Sequence, residues 1–205
     1  SSSIQDAIDS AASGDRLQLW EWDYVEYGIV VNERVTIFGN SSSVTVSGNW
    51  QDEIFSLETN DITLKNLTIE KSGNSTDDEC IDIGVGSGIK VDNVILKNCN
   101  VGILIETSGV VISNVIIQNS AKDGIIVKAS GGAEITCSPA VFSDDEPGQV
   151  RAGTLHVLLV YAVIADFRIG HRDNLATVTG IREDFLVTGH GSIKDNFPVD
   201  FPAGS

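Results

Sequence analysis

The chain has 205 residues, of which 41% are hydrophobic and 6% aromatic, with 20 Gly and no Met. That length buries one domain-sized core, and the abundance of Val, Ile, Asn, Ser and Thr beside Gly favours β-structure with tight turns over a helical bundle. A formal charge of −16 sets the surface against nucleic acid and anionic membranes, whereas solubility, saline surroundings and cation binding are all compatible with it, solubility being the default.

The first residues, "SSSIQDAIDS", lack an initiating Met, as expected of a mature secreted product after signal-peptide removal. Ser3 and Asp6 have the spacing of a capping box, and Ile4, Ala7, Ile8 and Ala11 fall on one helical face. A short amphipathic helix is therefore predicted here, placed to plug the open end of a coil of strands. Next, Trp20, Trp22, Tyr24 and Tyr27 are expected to crowd one corner, packing against the cap or a neighbouring subunit, with sugar stacking as the alternative. "IVV" (29–31), "VTIFGN" (35–40) and "VTV" (44–46) read as early strands.

From Asp61 onward the chain repeats. "DITLKNLTIEK" begins at Asp61, "GIKVDNVILKN" at Gly88, "GVVISNVIIQN" at Gly109 and a degenerate "GAEITCSPAVF" at Gly132. The first step is the longest because it carries an inserted "KSGNSTDDE" at 71–79. A second set, "CIDIG", "GILIE" and "GIIVK", recurs at even intervals from Cys80, Gly102 and Gly124. Units this short cannot bury an apolar face alone, but stacked neighbours can, which predicts a parallel β-helix. Asn66, Asn93 and Asn114 align in the repeat, as do Asn98 and Asn119. They mark bent corners, where an amide ladder along Asn66, Asn93 and Asn114 is predicted, ending near Cys137.

"SIQDAIDSAASGDRLQL", "GIVVNERVTIFGN" and the "IxVxNVxIxN" rungs together resemble right-handed parallel β-helix proteins of the pectin-lyase-like superfamily, particularly the NosD-like surface-repeat group, over residues 3 to 137. The resemblance implies an all-β, right-handed single-stranded parallel β-helix with an N-terminal helical cap. It says little about activity, because such scaffolds serve enzymes, adhesins and structural proteins alike. Many relatives have a Pro-Gly-Thr-Tyr turn where this chain reads "EWDYVEYG".

Residues 138–205 break the repeat and form the second expected segment after 1–137, β-rich and suited to capping or assembly. The longest apolar run, Leu155 to Ala165, is too short to span a bilayer as a helix, which takes about 20 residues.

Polygalacturonases, β-helices with paired Asp and a Gly-His-Gly motif, suggest Asp77, Asp78 and Asp82 with His190 and Lys194. Asp78 and His190 would stand about five turns apart in a continuing coil, or about 24 Å, too far for concerted proton transfer. Asp77, Asp78 and Glu79 are the candidate oxygen ligands for calcium, with Ser143 to Glu146 as another acidic loop. Carboxylates in register on successive turns, as a calcium-dependent lyase requires, are not expected. His156, His171 and His190 lack metal-ligand spacing. Of the sequons at Asn40, Asn66 and Asn74, the inserted-loop Asn74 is the best glycan acceptor and Asn40 follows. Cys80, Cys99 and Cys137 are too few for a disulfide scaffold and lack zinc spacing, so each reads as a small buried hydrophobe.

The expected function is a secreted or cell-surface structural protein that self-assembles with its own copies into a layer, sheath, fibre or appendage, requiring no cofactor. The alternative is a calcium-assisted carbohydrate-binding or polysaccharide-cleaving β-helix whose partner is a surface polysaccharide.

Overall fold

The computed structural model describes residues 3–20, 23–41, 43–75 and 78–128 in full, and 133–143, 151–158, 167–172 and 175–179 as backbone strands. These segments wind into a parallel β-solenoid of about five turns. The first turn holds β1 (Arg16–Leu19), β2 (Asp23–Val25) and β3 (Ile29–Val31), and the second β4 (Thr36–Gly39), β5 (Thr45–Ser47) and β6 (Phe55–Leu57). β7 (Thr63–Glu70) and β8 (Glu79–Ile83) make the third turn, and β9 (Ile89–Lys97) and β10 (Val101–Ile105) the fourth. The fifth has β11 (Val110–Ser113), β12 (Ile116–Gln118) and β13 (Asp123–Val127).

Three faces result. The first stacks β1, β4, β7, β9 and β11; the second stacks β2, β5, the ends of β7 and β9, and β12; the third stacks β3, β6, β8, β10 and β13. The registers reproduce the repeat, with Leu64 beside Val91 and Val91 beside Ile112. Inward residues form columns: Ile37, Leu64, Val91 and Ile112 on the first face, Val46, Ile69, Leu96 and Ile117 on the second, and Ile29, Phe55, Ile81, Ile103 and Ile125 on the third. Full burial of one such side chain stabilises the fold by about 1.5–3 kcal/mol, and no single turn encloses it without the next.

The corners are built from the residues the repeat singled out. Asn66, Asn93 and Asn114 have φ of 55°, 51° and 51°, and Lys71, Asn98 and Asn119, at the second corner, have φ of 61°, 53° and 56°. Asn tolerates this left-handed conformation because its short amide bonds locally. Gly39 occupies the first corner one turn before Asn66, where a Cβ would come within 2.2 Å of the Asn66 carbonyl oxygen. Asn93 Nδ2 donates to Asn66 Oδ1 at 3.0 Å, and Asn119 Nδ2 to Asn98 Oδ1 at 3.3 Å. One step of the expected ladder is replaced: Asn114 Nδ2 donates to Asp92 Oδ1 at 2.9 Å instead of to Asn93. The Asp92 carboxylate also accepts from Ser113 Oγ, and a carboxylate is a stronger acceptor than a neutral amide.

The helix α1 (Ile4–Asp9) carries the capping box between Ser3 and Asp6, with Ile4 and Ile8 buried in the core. Gln5 does more than expected. Its Nε2 donates to the Val30 carbonyl and its Oε1 accepts from the Val30 N–H, so the side-chain amide pairs with β3 as a strand would. Glu26 accepts from the N–H groups of Ile4 and Gln5.

The reading of Cys80 and Cys99 as separate buried hydrophobes is corrected: they form a disulfide with both sulfurs in the core. Cys99 lies just before β10, which pairs with the Cys80 strand β8, so the bridge ties one turn to the next. Beyond the fifth turn, β14 (Ala133–Ser143) extends the first face and runs through the expected boundary at residue 137. β15 (Arg151–Leu158) pairs antiparallel with β14, β16 (Phe167–Arg172) with β13, and β17 (Leu175–Thr179) with β16. The side chains of Cys137, His156 and His171 lie outside the described residues, as do 159–166, His190, Lys194 and the acidic loop after Ser143.

Candidate functional site

The inserted loop between the second and third faces is knitted by its own polar groups. Ser72 Oγ donates to the Asp78 carbonyl and accepts from Asn100 N–H, both at 2.9 Å, and Asn100 Nδ2 donates to the Ser75 carbonyl. Asp78 is buried, and its carboxylate accepts from Ser75 N–H, closing the loop. A Cβ at Gly73 would meet that carboxylate at 2.2 Å. Glu79 is buried in β8, and Asp77 lies outside the described residues. Among the described residues, no three His, Cys, Asp or Glu side chains gather where a metal ion would be held. Asn74 and Asn40 are both exposed, whereas the Asn66 amide is engaged by Asn93.

The carboxylates that gather are elsewhere, on the outer side of the third face. Ser56 pairs with Asp82, Asp82 with Leu104, and Leu104 with Ile126. Continuing that register puts Glu58, Gly84, Glu106 and Lys128 in the adjoining column. Carboxylates stand in this column at Glu58 and Glu106, two turns apart with Gly84 between them and Asp82 in the neighbouring column, so they do not recur on successive turns. Burial pushes Asp82 up to about 6, reinforced by Glu106 and Glu58 and opposed by Lys128 and an Ile83 backbone hydrogen bond. Its Oδ1 is buried with no hydrogen-bond partner among the described residues. Glu53 is likewise raised, first by burial and then by Asp82, Asp52, Glu58 and Asp78. Lys128 pairs with Glu106 at 3.2 Å, and Glu58 accepts from Ser56 Oγ. Such a face crowds like charge around a half-buried carboxylate, Asp82, and attracts cations.

The first face has the opposite character. Arg16 and Lys65 flank the Phe38 ring at 4.9 and 6.0 Å from its centroid, and exposed Lys90 lies one turn beyond Thr63 in its column. Asp92 stands beside Lys65 in register and accepts from Ser113 and Asn114, and Glu134 of β14 continues the Lys90 column two turns on.

The aromatic corner expected near residue 24 is divided in two. Trp20 N–H donates to Tyr24 Oη at the start of β2, while Tyr27 lies past its end, beside the turn that carries Trp50. Tyr24 packs on the core, but Trp20, Tyr27 and Trp50 are exposed. Trp22 lies outside the described residues. No helical or alternating pattern announces Glu58, Glu106 and Lys128 as neighbours. The even spacing of "CIDIG", "GILIE" and "GIIVK" already aligned Glu106 with Lys128; Glu58 was signalled only by following a strand that ends in a matched Leu.

These features define a parallel β-solenoid with one acidic and one basic face. Compared with protein-family models, curated proteins and solved structures, the chain has no match.

Proposed function

We propose that this chain is a secreted or cell-surface structural protein that assembles with its own copies. The carrying observation is where its apolar surface lies. Of the five exposed large hydrophobic residues among those described, Trp20, Val25, Tyr27 and Trp50 belong to the first two turns and only Val85 lies beyond. Exposed aromatics concentrated at one end of a solenoid are costly in water unless something covers them. Beside them run the strands of the first turn, whose β1 and β2 have solenoid neighbours on one side only among the described residues. The Cys80–Cys99 bridge supports export, because disulfides persist in oxidising surroundings. The finer reading is a right-handed β-helix of the pectin-lyase-like, NosD-like kind with α1 as its cap. Right-handed crossovers, the rule in about 98% of parallel connections, support it.

Sedimentation velocity and electron microscopy of the full chain test this reading. Discrete oligomers or filaments that dissociate on Trp20→Ser with Tyr27→Ser support it, and a monomer at every concentration sinks it.

A second reading rests on the acidic third face: calcium drawn to its carboxylates as a diffuse counter-ion, or bound at the loop of Asp77, Asp78 and Glu79, bridging to an acidic polysaccharide that the bare face would repel. Calcium-dependent binding or cleavage of such a polymer, lost on Asp82→Asn or on Asp77→Ala with Asp78→Ala, favours it over assembly.

A further inference from the structure

We propose that the copies associate side by side, the basic first face of one against the acidic third face of the next. This rests on the assembly reading above and specifies its geometry.

The net charge of −16 makes any cationic surface on this chain a minority feature, so its distribution is informative. Arg16, Lys65 and Lys90 all project from the first face, and among the described residues no carboxylate forms an ion pair with them. Arg16 and Lys65 instead lie over Phe38. On the third face Glu53, Glu58, Asp82 and Glu106 face one cation of the solenoid turns, Lys128, and Arg168 of the covering β16 stands beside Ile126 in register. Two faces of one molecule therefore carry unbalanced charge of opposite sign. Both sets ride on the same rungs, about 4.8 Å apart, so charges on one copy meet charges on the next at a common spacing. Cations brought to the third face also offset the like-charge crowding that adds to burial in raising Asp82 and Glu53.

End-to-end growth is the competing geometry: β1 and β2 each leave an edge open to it, with Trp20 and Tyr27 nearby, but the third face of the same turn is closed. An added strand must pair with Val30 of β3, yet both backbone groups of Val30 are taken by Gln5. An edge already satisfied does not recruit another strand. At the other end, β13 is covered by the antiparallel β16.

Because the two faces differ, the contact is heterologous and propagates as an open array or closes as a ring. A solenoid face four or five rungs high and three to five residues wide covers about 200–400 Å² in projection. That is well below the roughly 800 Å² per partner of a standard stable interface. One contact alone is therefore weak and electrostatic, and the assembly is sensitive to salt and concentration.

Charge reversal tests this on the full chain by light scattering and sedimentation velocity, with circular dichroism melts to verify folding. Lys65→Glu with Lys90→Glu reverses the first face; Glu58→Lys with Glu106→Lys reverses the third. Each pair alone is expected to weaken association about tenfold or more. All four together restore complementarity and return association to within a few-fold of the parent. Raising NaCl from about 0.05 to about 0.5 M is expected to disperse the parent assembly. Association that survives both single-face reversals and high salt, or that the fourfold variant fails to recover, overturns the lateral contact but leaves assembly standing. A parent chain that never associates overturns both.

Discussion

Asn93 tests whether the corners or the columns hold the coil in register. It sits at φ 51° with its Nδ2 on Asn66 Oδ1. Asn93→Leu forces a branched side chain into the left-handed region, at about 1–2 kcal/mol. It also removes a hydrogen bond worth about 0.5–1 kcal/mol at a solvent-facing site. The sum, about 2 kcal/mol, lowers the melting temperature by about 4–8 °C for a domain of this size. Asn93→Gly loses the same hydrogen bond but accepts the backbone freely, so its cost stays within about 1 kcal/mol. Lys90→Leu, on the same turn in extended backbone, serves as a control expected within about 0.5 kcal/mol of the parent. Urea and thermal unfolding of the three variants, at concentrations below association, supply the numbers. Leu and Gly variants that are equally destabilised would refute the backbone account, and a Leu variant as stable as the parent would refute the corner account entirely.

Four other outcomes are expected. Asp82 has a folded value raised to about 6 by burial and neighbouring carboxylates, so its protonated form favours the fold. That contribution is complete below about pH 4, the unfolded carboxylate range, and is lost as pH rises through about 6. Urea midpoints between those values should therefore fall with rising pH, and Asp82→Asn should flatten the slope; an unchanged slope contradicts the assignment. Cys80→Ser with Cys99→Ser opens a loop of 19 residues and should cost about 3 kcal/mol. Without reductant, Cys80 and Cys99 should resist alkylation even in denaturant, and labelling of both would show that the bridge is absent. Gln5→Ala strips both partners from Val30, so hydrogen exchange at the Val30 amide should quicken about tenfold or more while the Ile81 amide in β8 keeps its protection.

The architecture was legible because a solenoid writes its period into the chain. The spacing of the repeat places Leu64, Val91 and Ile112 in one column and Asn66, Asn93 and Asn114 at one corner, since each stacked turn solves the same packing problem. The capping box at Ser3 and Asp6 was equally readable, being a local exchange of hydrogen bonds within the first turn of the helix. Tertiary structure alone decided the rest. Whether Cys80 meets Cys99 depends on how the chain enters β10 after the second corner, and spacing does not report it. Glu58 and Glu106 share a column only because the intervening turns have particular lengths, one of them lengthened by the insertion at 71–79. Gln5 reads as an ordinary exposed helix residue until the coil brings Val30 beneath it. Local periodicity encodes which residues turn inward and where the backbone bends; which outward side chains meet is set by loop lengths and the stacking of turns, and those meetings carry the charge pattern from which association is argued.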